Sequence, residues 1–282
     1  MNIGVVGLGL IGGSVAKALR ENTPNTVLGC DINRTVVDKA KLLEAIDLEL
    51  TEERIPVCDV VILALYPKDI IAWAQAHADQ LRPGCILMDC GGVKQVVCDA
   101  LFPLFKDRPV TFIGAHPMAG VERSGFDNAR SSMFRNASII LTPPKGTDIE
   151  TLSMVKKFWG AIGFTNVEIT TPQEHDRRIA FTSQLAHVVS SAYIKSPTAK
   201  MQHGFSAGSY KDMTRVARLN EKMWTELFME NRECLSEEIG TVIEHLQEYK
   251  QAIDDRDAET LEKLLREGRE CKEAADKGDL KE

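Results

Sequence analysis

The stretch that most restricts the fold lies at the very start of the chain. Ile3-Gly4-Val5-Val6 is a short apolar run, Gly7-Leu8-Gly9-Leu10-Ile11-Gly12-Gly13-Ser14 follows at once, and a helical pattern continues to Arg20. Glycines spaced GxGxxG between a strand and a helix form the βα turn of a dinucleotide-binding parallel sheet. Gly7 allows the tight turn, Gly9 lets backbone approach a pyrophosphate, and Gly12 lets helix and strand pack closely. The helix amino end adds N–H donors and a partial positive charge. The cradle is therefore expected at Gly7, Leu8, Gly9, Leu10, Ile11 and Gly12. A second strand, Thr26-Val27-Leu28-Gly29-Cys30, ends at Asp31, where a carboxylate takes ribose hydroxyls and repels a 2′-phosphate. That favours NAD over NADP, although Arg34 stands where an arginine could hold the phosphate.

The alternation continues. Residues 36–45 have a helical pattern, and residues 58–65 read as a fully buried strand ending at Tyr66-Pro67. Helices over 69–80 and 93–105 alternate with strands over 85–89 and 110–113. Strands over 138–142 and 166–169 then flank a helix over 148–160. Strands apolar on both faces and separated by helices predict an α/β fold, a doubly wound, mostly parallel Rossmann-type sheet over residues 1–170. The loops after Leu65 and Asp89 fall at the same sheet edge as the glycine turn, so Leu65 and Tyr66 are expected on the nicotinamide side.

Just past the strand over 110–113, His116 stands in Gly114-Ala115-His116-Pro117-Met118-Ala119-Gly120. Ligands of open α/β sheets bind beyond the carboxyl ends of the strands, and a histidine there is suited to accept a proton. A histidine packed in a turn is the alternative reading.

From Thr171 the pattern changes. Thr171-Pro172-Gln173-Glu174 is a capping box with proline at the first helical position. Ile179, Ser183, Ala186, Val189, Ser190 and Tyr193 share a helical face that ends before Ser196-Pro197. Beyond a loop at 204–208, Trp224 to Ile253 reads as one long helix, suited to an intersubunit interface or to the core of a large domain. Residues 171–282 are therefore expected to form an all-helical second domain, its charged final residues frayed.

Composition narrows the function. A net charge of -7 argues against a nucleic-acid partner. The most apolar run, residues 57–66, contains Asp59 and is far too short to span a membrane. Seven cysteines without a CxxC pair, and an amino end without a basic n-region, predict a cytoplasmic protein with reduced thiols. No HExxH spacing occurs, and Glu174-His175-Asp176 reads as a solvated helix start, so no metal is expected.

Together, Gly7-Leu-Gly-Leu-Ile-Gly-Gly-Ser14, Gly114-Ala-His-Pro-Met-Ala-Gly-Val-Glu-Arg-Ser-Gly125, Glu174-His-Asp176, Ser183-Gln-Leu-Ala-His187 and Gly208-Ser-Tyr-Lys-Asp-Met-Thr-Arg215, with Trp224 beyond, make the chain recognisable. It resembles the prephenate dehydrogenase family of tyrosine biosynthesis over essentially its whole length. The resemblance implies a helical domain that pairs two copies into a homodimer and a site beside the cofactor. It also implies the reaction of prephenate and NAD to 4-hydroxyphenylpyruvate, CO2 and NADH. His116 then falls on the catalytic histidine, Arg215 on the arginine that holds the substrate carboxylate, and His187 on a second active-site histidine. Lys211, Gly208 and Trp224 fall on pocket-lining positions. Gly92 is a departure, because family members often carry serine there and this chain has no hydroxyl to offer. Glu122 reads equally as a partner for a basic group near the pocket mouth or as a simple exposed carboxylate. With no regulatory segment in the sequence, inhibition by tyrosine would have to be competitive.

A rate that falls as pH drops through a group near ~6.5 is expected if His116 acts unshifted. Arogenate dehydrogenase is the nearest rival activity. A β-hydroxyacid dehydrogenase or imine reductase shares the glycine turn, but the hydroxyacid enzymes need a lysine where this helix carries His187 and none before Lys195. A cofactor sensor without turnover is the non-enzymatic alternative.

Overall fold

The structure, a computed structural model, describes residues 1–121 and 123–277. Glu122 and the last five residues, where fraying was expected, lie outside that description. An eight-stranded sheet in the order β3-β2-β1-β4-β5-β6-β7-β8 dominates. Its strands are β1 (Asn2–Val6), β2 (Thr26–Cys30), β3 (Leu48–Glu49), β4 (Val60–Leu63), β5 (Ile86–Asp89), β6 (Thr111–Met118), β7 (Ser138–Thr142) and β8 (Asn166–Ile169). Every neighbouring pair is parallel except β6 with β7. The two-residue β3 is too short to leave a pattern in the sequence.

Burial on both faces follows from side-chain alternation along the strands. In β4, Val60 and Ile62 join one apolar cluster, while Val61 and Leu63 join the other. The first cluster is covered by α1 (Leu10–Asn22), α2 (Arg34–Leu42) and α5 (Ile149–Ala161) through Val15, Leu19, Val37, Val155 and Trp159. The second is covered by α3 (Pro67–His77) and α4 (Gln95–Phe105) through Ile70, Ala74, Val97 and Leu101. Helices on both faces make the sheet doubly wound, and the strand order reverses between β1 and β4.

The sixth strand corrects the sequence reading. Thr111–Ile113 pair in parallel with β5, but the strand then runs on through Met118 against β7, with His116 opposite Ile140. Glycine and proline made this stretch look like a turn. Antiparallel pairing on one side alone tolerates them, because proline loses its N–H where no second strand needs it. His116 therefore sits in a strand that extends past the end of β5.

Among the described residues no strand follows Ile169. Thr171 caps α6 (Pro172–Ile179) by accepting the N–H of Glu174 at 3.2 Å. The Glu174 carboxylate pairs with Arg177 and Arg178 instead of closing the box. A π-helical turn, Ala180–Leu185, joins α6 to α7 (Ala186–Tyr193). After α8 (Gly208–Thr214), the expected single long helix is two, α9 (Glu221–Glu230) and α10 (Arg232–Asp254). They break at Asn231, whose buried amide donates to the Asp176 carbonyl and to Gln184 Oε1, each at 2.8 Å. A buried amide needs such partners, and they draw the chain out of helical register.

Two compact units result, residues 1–232 and 233–282. Helices α6 to α9 fall within the first of these units. In the second unit, Tyr249 Oη donates to the Leu264 carbonyl at 3.0 Å, tying α10 to α11 (Ala258–Lys277).

Candidate active site

Three loops meet at the carboxyl ends of β1, β4 and β5, and the sheet ladder continues into each. Gly7 donates its N–H to Cys30, Ala64 to Val6 and Cys90 to Leu63, at 2.8–2.9 Å. Gly7 has φ +85°, and a Cβ on it would stand 2.6 Å from the Ala64 carbonyl oxygen and 2.8 Å from Leu65 Cδ2. A Cβ on Gly12 would lie 1.8 Å from the Gly7 carbonyl oxygen. Only glycine fits at either position. At Gly9, by contrast, nothing lies within 4 Å of where a Cβ would be, and α1 begins there with no side-chain cap. An open backbone approach at an uncapped helix amino end fits a pyrophosphate.

Asp31 accepts the N–H groups of Leu8 and Asn33, each at 2.8 Å, so its carboxylate is fixed at the end of β2. Leu8 takes part through its backbone, since its side chain is buried in the core. Leu10 and Ile11 are half-buried at the helix start. Arg34 pairs with Glu49 at 2.6 Å and with Asp38 at 2.9 Å. Its charge is answered by two carboxylates, which fits NAD better than a 2′-phosphate. Leu65 lies against Gly7, and half-exposed Tyr66 precedes α3.

Next to these loops is a buried polar cluster that the sequence did not reveal as a unit. The Asp89 carboxylate at the end of β5 pairs with Lys94, both side chains fully buried. It also accepts the N–H of Gly91 at 2.8 Å and that of Ala115 at 3.0 Å. One carboxylate thereby holds the loop 90–93 and the strand residue before His116. Buried ions survive only when paired and hydrogen-bonded in this way.

His116 Nδ1 lies 2.9 Å from His175 Nε2, and His175 Nδ1 lies 2.6 Å from Asp176 Oδ1. Asp176 in turn accepts the N–H groups of Lys94 at 2.7 Å and Gln95 at 2.9 Å. His175 and Asp176 are each 1% exposed, which overturns the reading of a solvated helix start. The signal was present: Pro172, His175, Asp176 and Ile179, the buried residues of α6, follow the spacing of a core stripe. Burial pushes His116 well below the ordinary histidine range, helped by neighbouring His175 and Lys94. Burial also lowers His175, opposed by its hydrogen bond to Asp176.

The residues expected to hold substrate lie on α7, α8 and α9. His187 donates from Nδ1 to the Ser183 carbonyl at 2.9 Å, and its ring lies 3.9 Å from that of Trp224. Leu227, three residues along α9, has Cδ2 3.3 Å from where a Cβ on Gly92 would stand. The space a serine would need beside the loop is thus bounded by Leu227. Gly208 opens α8, and exposed Lys211 lies on it. Arg215, also exposed, starts the turn Arg215–Ala217, and α7 packs against both this turn and α8. Two clusters therefore form, one around His116 and one around His187 and Trp224, and Leu227 of α9 lies against Gly92 in the loop after β5.

Comparison with known proteins bears on this arrangement. Residues 15–168 match the family model described as prephenate dehydrogenase, nucleotide-binding domain, and residues 171–267 match prephenate dehydrogenase, dimerization domain. A cyclohexadienyl dehydrogenase of Zymomonas mobilis is 29% identical over 282 residues, covering 96% of this chain and 94% of its own length. The crystal structure of prephenate dehydrogenase from A. aeolicus in complex with hydroxyphenyl propionate and NAD+ superposes with a TM-score of 0.84 and 29% identity, over 98% of both chains. Synechocystis arogenate dehydrogenase superposes with a TM-score of 0.81 and 26% identity, over 98% of this chain and all of its own.

Proposed function

From the premise that the chain belongs to the prephenate dehydrogenase family, we propose that it converts prephenate to 4-hydroxyphenylpyruvate and CO2 with NAD as oxidant. Bound NAD supplies the hydride acceptor. Gly7 to Gly12 would hold its pyrophosphate, Asp31 its ribose, and Leu65 and Tyr66 would border its nicotinamide.

The chain's own work is to hold the ring and take one proton. As the carbon bearing the ring hydroxyl loses hydride, that hydroxyl passes its proton to His116, the ring carboxylate departs as CO2, and the same proton returns to the phenolate oxygen of the aromatised ring, so that none is released overall. Aromatisation makes the sum favourable, so positioning and proton acceptance are what the enzyme must add. A neutral imidazole accepts this proton and an imidazolium does not. What carries the reading is the place of His116 in the strand extension past β5, tied through Ala115 to Asp89 and bonded to His175, with burial favouring its neutral form. Arg215 offers a planar fork to the remaining carboxylate of the substrate. His187, in tilted ring contact with Trp224, is assigned to the same pocket, with Lys211 and Gly208 on the helix α8 that packs against α7. We assign residues 1–170 to cofactor binding and 171–282 to substrate binding and homodimer formation, in a cytoplasmic enzyme.

Prephenate rather than arogenate is favoured by having both Arg215 and His187 among the substrate residues, two groups suited to a keto acid with its carboxylate. The relatives include enzymes named for each substrate. NADH formation measured with both compounds decides between them: a higher kcat/KM for prephenate is expected, and a higher value for arogenate reverses the assignment.

A further inference from the structure

We propose that His175 and Asp176 are positioning residues that hold His116 in a single tautomer, Nδ1–H, with Nε2 kept as the proton-accepting nitrogen. The proposal rests on the reading of His116 as the group that receives the substrate's proton.

Four hydrogen bonds run from the start of α4 outward to His116. Asp176 accepts two backbone N–H groups at the start of α4, at 2.7 and 2.9 Å, one on each carboxylate oxygen. A carboxylate only accepts, so His175 Nδ1, 2.6 Å away, must carry the hydrogen. A neutral imidazole has one donor and one acceptor nitrogen, so His175 Nε2 is then the acceptor. His116 Nδ1 lies 2.9 Å from it and must donate. That leaves His116 Nε2 with its lone pair. Isolated histidine has no such restriction and would spend part of its time with Nε2 protonated and unable to accept.

The groups facing His116 from surrounding elements suit this arrangement. Lys94, ahead of α4, disfavours a second proton on His116, while Asp89 at the end of β5 is already taken by Lys94 and by backbone N–H groups. Among the described residues, His175 offers the inward acceptor within hydrogen-bond reach of His116. The cap that Asp176 provides to α4 is a structural duty as well, and the two duties are separable by experiment.

Side-chain 15N NMR of the unmodified protein gives the first test, independent of any substrate. Nδ1–H signals are expected for both His116 and His175, and an Nε2–H tautomer at His116 overturns the proposal. Substitution gives the second. His175→Leu removes the acceptor, while His175→Gln places an amide oxygen at similar reach. With NAD binding used to verify folding, His175→Leu is expected to lower kcat by on the order of 10²–10⁴, with little change in KM. His175→Gln should recover at least about tenfold of that loss, since it restores the inward acceptor. Equal kcat in both variants, with a change only in melting temperature, would mean a purely structural role. Should His175→Leu fail to fold, the NMR result and the comparison of His175→Gln with the parent remain decisive. If prephenate is not turned over while the tautomers are as stated, the proposed substrate falls and this inference stands.

Discussion

His116 shares its 2.9 Å hydrogen bond with a histidine that is itself fully packed, and this sets its pH behaviour. Burial, His175 and Lys94 all disfavour a second proton on His116, so its titration moves below the 6.5 of a free histidine. The sign is direct: protonation removes the acceptor, so activity is lost as pH falls through the lowered value and persists above it. The acid limb of a kcat profile should therefore lie below ~6.5, where the sequence alone had placed it; a limb at or above that value contradicts the burial argument. Arg215 belongs to the same scale. Arg215→Ala should raise KM for prephenate by on the order of tenfold or more, through loss of charge-assisted hydrogen bonds, with a smaller effect on kcat. Steady-state kinetics check this, and an unchanged KM removes the residue from the substrate site. His116 was legible because its place after an apolar strand is a local pattern. His175 and Asp176 were passed over because a capping box with charged neighbours looks solvated, and their burial depends on α4 and on Asn231, far away in sequence.

At the scale of elements, the glycine turn and its flanking strands were readable residue by residue, because strand, turn and helix are dictated over a short span. The extension of β6 was not, since it exists only through pairing with β7. The break between α9 and α10 likewise depends on what Asn231 meets in α6 and the π-helical turn. Lys94 links the loop after β5 to Asp89 through its ammonium and to Asp176 of α6 through its backbone N–H. Lys94→Met should leave Asp89 buried without its ion partner and destabilise the fold by about 3–5 kcal/mol. Denaturant unfolding measures it, and a loss below ~1 kcal/mol would show that the backbone N–H groups of Gly91 and Ala115 suffice.

Across the whole molecule, the division between compact units falls at residue 232, whereas the change from strands to helices falls at residue 171. Hydrophobic periodicity sees only the second boundary, because helices that pack on the sheet carry the same stripe as helices that pair with one another. In the second unit, Ile243, Leu246 and Ile253 of α10 are 48%, 61% and 60% exposed, an apolar face within the segment that matches the family's dimerization domain. Leu246→Glu should shift the protein towards monomer in sedimentation analysis; an unaltered dimer would place the interface elsewhere. The dehydrogenation itself is tested most directly by NADH absorbance with prephenate and NAD, for the parent protein and for His116→Asn at equal NAD occupancy. The expected result is turnover by the parent, reduced by on the order of 10²–10⁴ in the variant with modest change in KM. Equal turnover by the two proteins would contradict proton acceptance by His116.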